Sequence, residues 1–249
     1  MRTLLCSVVS LSLLAACPKP PPPPPVFTPP TDSVELSIRD RDWDTTAPPE
    51  GWCGETCIQM AGLYYGVWIP QRVANEKGKP KTPDLWEHDV PVAMSALGVR
   101  FQTAPKEAGA AALLDWTVKA LREGKPVILG VKLLPTKHPD WEVDHLVLAV
   151  GFSPEGLLLN TNLEGQQRVP WLGLLTKEGS RGFSLVNDKG TAWGFAVEGV
   201  TGARAGVRAD VIYDLPEAVT LRFESVDGGV LEDVTVPRDE LYSFETEAR

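Results

Sequence analysis

The 249-residue chain has few of the residues from which metal and nucleic-acid sites are built. It holds three histidines and four cysteines, and no CxxC or HxxxH spacing occurs among them. Closely spaced ligand pairs are typical of zinc sites, so we expect neither a metal site nor a cofactor. Lysine and arginine total 24 against 33 acidic residues, and no basic cluster is present that could follow a phosphate backbone. A nucleic-acid partner is therefore not expected.

Long apolar runs are also scarce, and the one near the N-terminus is too short to span a bilayer. Residues 1–16 begin with Arg2, continue through an apolar stretch and end in small residues, which is typical of a secretory signal peptide. The junction Leu14-Ala15-Ala16-Cys17 resembles the bacterial lipoprotein box, which implies a mature chain that begins at a lipidated Cys17. The alternative is an ordinary signal peptide cut near Ala16. The resemblance implies a lipid-anchored location in the bacterial cell envelope, on the periplasmic or outer-surface side.

Composition divides the chain into four parts. Residues 1–17 are the expected signal peptide and lipobox, and the proline-rich residues 18–33 are expected to form an extended polyproline II linker. Residues 34–201 carry the candidate functional residues and form the expected main domain. Residues 202–249 open with a glycine-rich stretch at Gly202, and apolar and polar residues then alternate as they do in strands. They predict a small β-rich appendage, without histidine or cysteine, to which we assign no chemistry.

Within the main domain, helical spacing comes first and extended patterns follow. Predicted helices run from Cys53 to Gly66, from Pro70 to Asn75, from Pro83-Asp84 to Leu97, and from Ala108 to Arg122. Predicted strands cover 99–103, 126–133, 144–152, 157–162, 182–186 and 193–199, and Pro154-Glu155-Gly156 is the turn of a hairpin. Helices followed by antiparallel strands indicate an α+β fold.

Cys53 is the candidate nucleophile, because it stands on the first turn of an apolar helix that Gly66 ends. Unpaired N–H groups and the positive end of the helix dipole favour the thiolate there, which is the nucleophilic form. Two other interpretations remain open: a buried structural thiol, or a disulfide with Cys57 in an oxidising compartment. Cys57 lies one turn further along, where burial would keep it inert.

A nucleophilic cysteine needs a base beside it and a polar group that orients the base. His88 is expected on a solvated helix and His138 in a polar loop. His145 directly precedes the apolar run Leu146 to Val150, where a rigid sheet can aim its ring. His145 is therefore the candidate base, and a metal site that would use it with Cys53 and Cys57 is the competing interpretation.

These motifs resemble the bacteriocin-leader-processing cysteine peptidases, family thirty-nine of the papain-like group. Cys53-Gly54, Met60 and Tyr64-Tyr65-Gly66 resemble that family's nucleophile helix. The run from His145 to Phe152, followed by a turn and Leu157 to Asn160, resembles its histidine strand and the next strand. The resemblance implies a papain-like α+β fold in which the cysteine helix packs on an antiparallel sheet.

The resemblance also implies a Cys-His-Asn type site that acts on a peptide or protein. Asn160 is the expected third member in place of the family's aspartate, with Thr161 and Asn162 as nearby alternatives and a simple strand end as the other interpretation. The family's glutamine before the cysteine has no counterpart between Val34 and Cys53. Taken together, the lipobox and the motifs around Cys53 and His145 lead us to expect a membrane-tethered cysteine peptidase or related amide-bond hydrolase. The alternatives are a transferase that uses the same acyl-enzyme and a catalytically silent binding module.

Overall fold

The structure is a computed structural model that describes residues 26–48, 51–105, 109–133, 144–177, 183–186 and 192–244. Cys6, Cys17, His138 and residues 18–25 of the proline-rich stretch lie outside the described residues. Within the described part, no helix is both long and apolar enough to cross a membrane.

The described helices all belong to the first three quarters of the chain. They are α1 (Cys53–Tyr64), α2 (Gln71–Gly78), α3 (Val90–Ala96), α4 (Ala110–Arg122) and the single turn α5 (Trp171–Leu174). Gly66 follows α1 with φ +74, a left-handed conformation that glycine adopts without strain, so the chain turns away there as predicted. The apolar face predicted for the helix ending at Arg122 is buried in α4.

Eight strands of the main domain form one antiparallel sheet. They are β1 (Val34–Glu35), β3 (Val99–Thr103), β4 (Val127–Leu133), β5 (His145–Ser153), β6 (Gly156–Asn160), β7 (Gln166–Pro170), β8 (Phe183–Ser184) and β9 (Gly194–Val200). Their order is β3-β9-β4-β5-β6-β7, with β1 paired to β5 and β8 paired to β4. The predicted hairpin is the pair β5 and β6, in which Phe152 lies opposite Leu157. The α+β fold class is confirmed.

The helix of Cys53 packs directly on the strand of His145. Nearly every residue of α1 is buried, and α1 lies against β5 at the centre of the sheet. Strand β5 is itself buried along its whole length. The main sheet, α2 and the C-terminal strand β10 surround α1. This position explains why the helix is apolar on nearly every side.

The C-terminal strands form a second sheet with its own apolar core. They are β10 (Val207–Asp214), β11 (Ala218–Ser225) and β12 (Val230–Pro237), in that order. The separate pair β13 (Tyr242–Ser243) and β2 (Val67–Trp68) joins this part to the chain after α1. Trp68 and Leu63 of the main domain complete the core around Phe223.

One predicted helix begins later than expected. The pattern from Pro83-Asp84 predicts a helix through to Leu97, whereas residues 87–89 form a turn and α3 starts at Val90. Asp89 Oδ2 accepts the N–H of Trp86 at 3.1 Å, which closes the turn, and Pro91 suits the first turn of a helix. His88 is therefore in a turn and its side chain is 72% exposed.

Candidate active site

Helix α1 brings the Cys53 thiol to the beginning of β5. Cys53 is the first residue of the helix, and Trp52 before it makes no side-chain capping hydrogen bond. The backbone N–H of Leu146 is directed at the Cys53 sulfur. Leu146 follows His145 on β5, so the N–H that meets the Cys53 sulfur belongs to the residue next to the candidate base. Cys53 is 6% exposed and His145 is 4% exposed, so the site is closed to bulk solvent.

Burial dominates the ionisation of Cys53. Loss of solvation raises the pKa of the thiol to about 12, the nearby Glu55 carboxyl raises this pKa further, and the Leu146 N–H lowers it only in part. The sequence-based expectation that the helix N-terminus gives Cys53 a lowered pKa is wrong, because desolvation of the charged form outweighs that effect. Cys53 therefore rests as a neutral thiol at neutral pH.

The His145 ring is held by a main-chain oxygen. Its Nε2 lies 2.9 Å from the carbonyl oxygen of Thr161. A carbonyl can only accept, so Nε2 carries the proton and the neutral ring keeps Nδ1 as an acceptor. Burial lowers the pKa of His145 to about 4, and the Thr161 carbonyl opposes that shift. At neutral pH the ring is uncharged, which is the form a general base requires.

A short turn fixes the Thr161 carbonyl against the ring. Thr161 Oγ1 donates to the carbonyl of Gly165 at 2.8 Å and accepts the N–H of Glu164 at 3.1 Å. Asn162 has a φ of 50°, in the left-handed region that asparagine tolerates better than most residues. Its N–H donates to Asp40 Oδ1 at 3.1 Å. These bonds leave the Thr161 carbonyl directed at His145.

Asn160, the predicted third member, is placed away from the ring. In the pairing of β6 with β5 it lies opposite Leu148, three residues beyond His145. Its side-chain amide has other partners: it donates to the Ile38 carbonyl at 3.1 Å and to Met60 Sδ at 3.5 Å, and it accepts from Gln166 Nε2 at 2.8 Å. In this structure the contact expected from Asn160 is made by the Thr161 carbonyl.

Asn162, one of the two alternatives to Asn160, links three segments around the site by its side-chain hydrogen bonds. Its Nδ2 donates to the carbonyl of Leu146 at 3.0 Å, and its Oδ1 accepts from Trp43 Nε1 at 2.7 Å. Asn162 therefore fastens the start of β5 to the turn that carries the Thr161 carbonyl. Its hydrogen bonds reach the main chain next to His145, while the ring itself is bonded by Thr161 within the described part of the chain.

Trp43 is a residue that sequence reasoning missed. Besides its bond to Asn162, its indole covers Gly51, where a Cβ would lie 2.4 Å from the ring. Gly51 also has φ +86, so both the conformation and the contact require glycine there. The segment before α1 is thus pressed against Trp43, close to Cys53.

Cys57 behaves as a structural thiol. It is fully buried, burial raises its pKa well above the usual value, and Asn162 Nδ2 lies 3.8 Å from its sulfur. Cys53 and Cys57 are both free, so the disulfide interpretation is not realised in this structure. Elsewhere in the described part of the chain, no cluster of three potential ligands is placed to hold a metal ion.

Gln59, the buried glutamine of α1, follows Cys53 by six residues and has its side-chain amide engaged elsewhere. Gln59 Nε2 donates to the carbonyl of Ile69 at 3.2 Å, and its Oε1 accepts from Arg41 and Gln71. Donors near Cys53 come from the main chain instead. The first N–H groups of a helix have no partner within the helix, and α1 has no side-chain cap.

Comparison with known proteins gives a likeness among solved structures but none among sequences. No family model matches the chain, and no curated protein matches it. Among solved structures, a presumed C39-like peptidase from Bacillus anthracis superposes with a TM-score of 0.48 at 14% sequence identity. The superposition covers 68% of this chain and all of that one.

Proposed function

We propose that this chain is a papain-like cysteine peptidase or a related amide-bond hydrolase, with Cys53 as nucleophile and His145 as base. The observation that carries the proposal is the placement of the Cys53 sulfur at the N–H of Leu146, the residue that follows His145 on β5, while Thr161 holds Nε2 of His145. That arrangement unites a nucleophile, a base with its acceptor nitrogen unprotonated, and a group that fixes the tautomer.

The resting protonation states define how the reaction would begin. With a thiol pKa of about 12 and an imidazole pKa of about 4, the pair rests uncharged. The thiol proton therefore passes to Nδ1 of His145 as the sulfur attacks the substrate carbonyl. The imidazolium then gives that proton to the departing amine, leaving an acyl-enzyme. Water attacks the thioester, His145 takes its proton, and the acid is released as the thiol re-forms.

The oxyanion would be stabilised by main-chain donors. No glutamine precedes Cys53 within the main domain, whereas the first-turn N–H groups at Cys53 and Gly54 have no partner within α1. Donors of this kind contribute about 3 kcal/mol each to the transition state in other acyl-transfer enzymes. The N-terminus of α1 does not ionise the resting thiol. It would instead stabilise the negative charge that develops on the substrate oxygen in the transition state.

Substrate and location follow from the same proposal. We propose a peptide or protein as the substrate class, on the resemblance of the Cys53 and His145 motifs to those of cysteine peptidases. We further propose that Cys17 is lipidated and holds the domain at the cell envelope through the proline-rich residues 18–33. The support is the sequence pattern of residues 1–17, which lies outside the described residues.

One observation favours a second candidate, a catalytically silent binding module of the same fold. Cys53 and His145 are both nearly inaccessible, and burial opposes the charged states of both. A domain that has kept its core but lost its reaction would show these features. Turnover decides between the two candidates.

The test is cleavage of a proteome-derived peptide library by the purified full-length chain, followed by mass spectrometry of new termini. We expect cleavage by the wild type and none by Cys53→Ala or His145→Ala. Cys57→Ser is the matched control, because it alters the other buried thiol of α1 and should keep cleavage. If wild type and Cys53→Ala give the same peptide profile, the hydrolase proposal is wrong and the catalytically silent binding module is the better account.

A further inference from the structure

The C-terminal sheet reaches the candidate site through one short segment of the main domain. Residues 39–44, which we call the strap, lie between β1 and α1 and belong to no helix or strand. Side chains that bond to the C-terminal part of the chain are interleaved along the strap with side chains that bond to the turn after β6. The first set is Arg39, Arg41 and Asp44, and the second set is Asp40 and Trp43.

Asp214, the last residue of β10, is the centre of the attachment to the C-terminal sheet. Its Oδ2 accepts from Arg41 Nη2, and its Oδ1 accepts from Arg238 Nη2. Arg238 also donates from Nη1 to Asp44 Oδ2 at 2.8 Å. The two arginine side chains are only 17% and 15% exposed, so salt and solvent screen these ion pairs less than they screen exposed ones. The carboxylate of Asp214 therefore fixes the strap at two of its residues.

On its other side, the strap holds Asn162 by two hydrogen bonds. Asp40 Oδ1 accepts the backbone N–H of Asn162 at 3.1 Å, and Trp43 Nε1 donates to its Oδ1 at 2.7 Å. Asn162 needs such support because its φ of 50° is unfavourable for a residue with a side chain. The side-chain bonds of Thr161 stay within the turn and fix its shape. The bonds of Asn162 reach outside the turn and fix its position.

We propose that Asp214 is a positioning residue for His145, which it reaches through the strap and Asn162. The strap residues that Asp214 anchors alternate with those that hold Asn162, and Asn162 directly follows the residue whose carbonyl meets Nε2 of His145. A shift of the strap moves that carbonyl, and the tautomer with an unprotonated Nδ1 is then no longer favoured. This rests on the proposed function, in which His145 is the base, but the state of the ring can be measured without turnover.

The experiment follows the His145 ring by nitrogen-15 NMR in the full-length chain, with the signal assigned by its absence from His145→Ala. In the wild type we expect one tautomer whose Nε2–H exchanges slowly with water, because the Thr161 carbonyl accepts it in a buried site. Asp214→Ala removes the carboxylate that the two arginines share. The Nε2–H should then exchange roughly tenfold faster, the effect of losing about 1.4 kcal/mol of restraint, and the Nδ1–H tautomer should appear beside it.

Two comparisons separate positioning from a general loss of stability. Phe223→Leu is the matched control, because it weakens the apolar core of the same sheet and leaves the ion pairs of the strap in place. Its ring signal should follow the wild type under conditions in which both are folded. At the other end of the strap, Asp40→Asn keeps an oxygen that can accept the N–H of Asn162. Asp40→Asn should therefore resemble the wild type, whereas Asp40→Ala should exchange as fast as Asp214→Ala.

Two results would overturn the proposal. One is an unchanged exchange rate and tautomer in Asp214→Ala, and the other is a change of the same size in Phe223→Leu. Asp214→Asn is the milder variant should Asp214→Ala not fold. The amide keeps one acceptor oxygen but loses the charge, so exchange should still be faster than in the wild type, and a rate equal to that of the wild type would contradict the proposal.

Failure of this proposal and failure of the proposed function give different results. If both hold, Asp214→Ala should lower kcat roughly tenfold with little change in KM, because a misplaced base slows the chemical step. If the chain cleaves no peptide but the ring signal changes in Asp214→Ala, the positioning stands and only the hydrolase is lost. If cleavage depends on Cys53 while Asp214→Ala keeps the wild-type kcat and ring signal, the hydrolase stands and Asp214 does not position His145.

Discussion

Replacing Asn162 should weaken the fold and the candidate site together. Its side chain makes two hydrogen bonds, a buried one to the Leu146 carbonyl and a partly buried one from Trp43 Nε1. Truncation to alanine leaves both partners without their bond, at about 1–3 kcal/mol each. Alanine also tolerates the φ of 50° less well than asparagine, which adds about 1 kcal/mol. We expect Asn162→Ala to lower the free energy of unfolding by about 3–7 kcal/mol, on the simple sum of these contributions.

The assay is urea unfolding followed by tryptophan fluorescence, with Asn162→Gly as the companion variant. Glycine accepts the left-handed conformation, so the difference between the two variants isolates the backbone contribution from the hydrogen bonds. Asn160→Ala is the matched comparison, since Gln166 Nε2 also lies 3.4 Å from the Ile38 carbonyl and can partly replace the lost amide. Its loss should be smaller, about 1–3 kcal/mol.

Turnover gives the sharper comparison between the two asparagines. Under conditions in which both variants remain folded, Asn162→Ala should reduce peptide cleavage more than Asn160→Ala, because Asn162 fixes the start of β5 and Asn160 does not contact the ring. A loss below about 1 kcal/mol in Asn162→Ala would refute the hydrogen-bond reasoning. A larger loss of turnover in Asn160→Ala would return the orienting role to Asn160, as the sequence predicts.

Three further predictions concern other parts of the chain. Because the pKa of His145 is about 4, the ring stays neutral and can accept a proton down to acidic pH. The value of kcat/KM should therefore fall only below about pH 5. A fall in kcat/KM that is centred near pH 6.5 would contradict this. Cys17→Ser should release the protein from the membrane fraction, and retention equal to wild type would disprove the lipid anchor. Arg238→Ala should lower the urea midpoint by the equivalent of about 2 kcal/mol, because the guanidinium is largely buried between Asp44 and Asp214. The exposed pair of Arg222 and Asp233 is the control and should contribute less than about 1 kcal/mol; equal losses would refute the stabilising link that Arg238 makes between Asp44 and the C-terminal sheet.

The elements that carry Cys53 and His145 could be predicted because their local signals agree with their burial. The apolar run after Cys53 and the stop at Gly66 match α1, and the turn at Pro154-Glu155-Gly156 matches the hairpin. The strands β2 and β13 escaped prediction, since each is two residues long and they form only by pairing with each other across a long stretch of chain. A periodic pattern needs more residues than that.

The surroundings of the site were harder to predict because they depend on the main chain and on burial. The partner of His145 is the carbonyl of Thr161, which has no side-chain signature. The helix N-terminus predicted a reactive thiol, whereas the degree of burial that raises the Cys53 pKa appears only in the fold. Glu55 did leave a signal, an acidic residue within an otherwise apolar helix, and a charge at a position predicted to be buried indicates either a partner or a function.

The most direct measurement for Cys53 as nucleophile is covalent trapping in the full-length chain. A peptide-based electrophile that requires attack by an activated thiol is incubated with wild type, His145→Ala and Cys57→Ser at neutral pH, and the adduct is located by mass spectrometry. The account predicts one adduct, on Cys53, that forms in wild type and Cys57→Ser and fails in His145→Ala. Adduct formation that is equally fast without His145, or that occurs on Cys57, would contradict it.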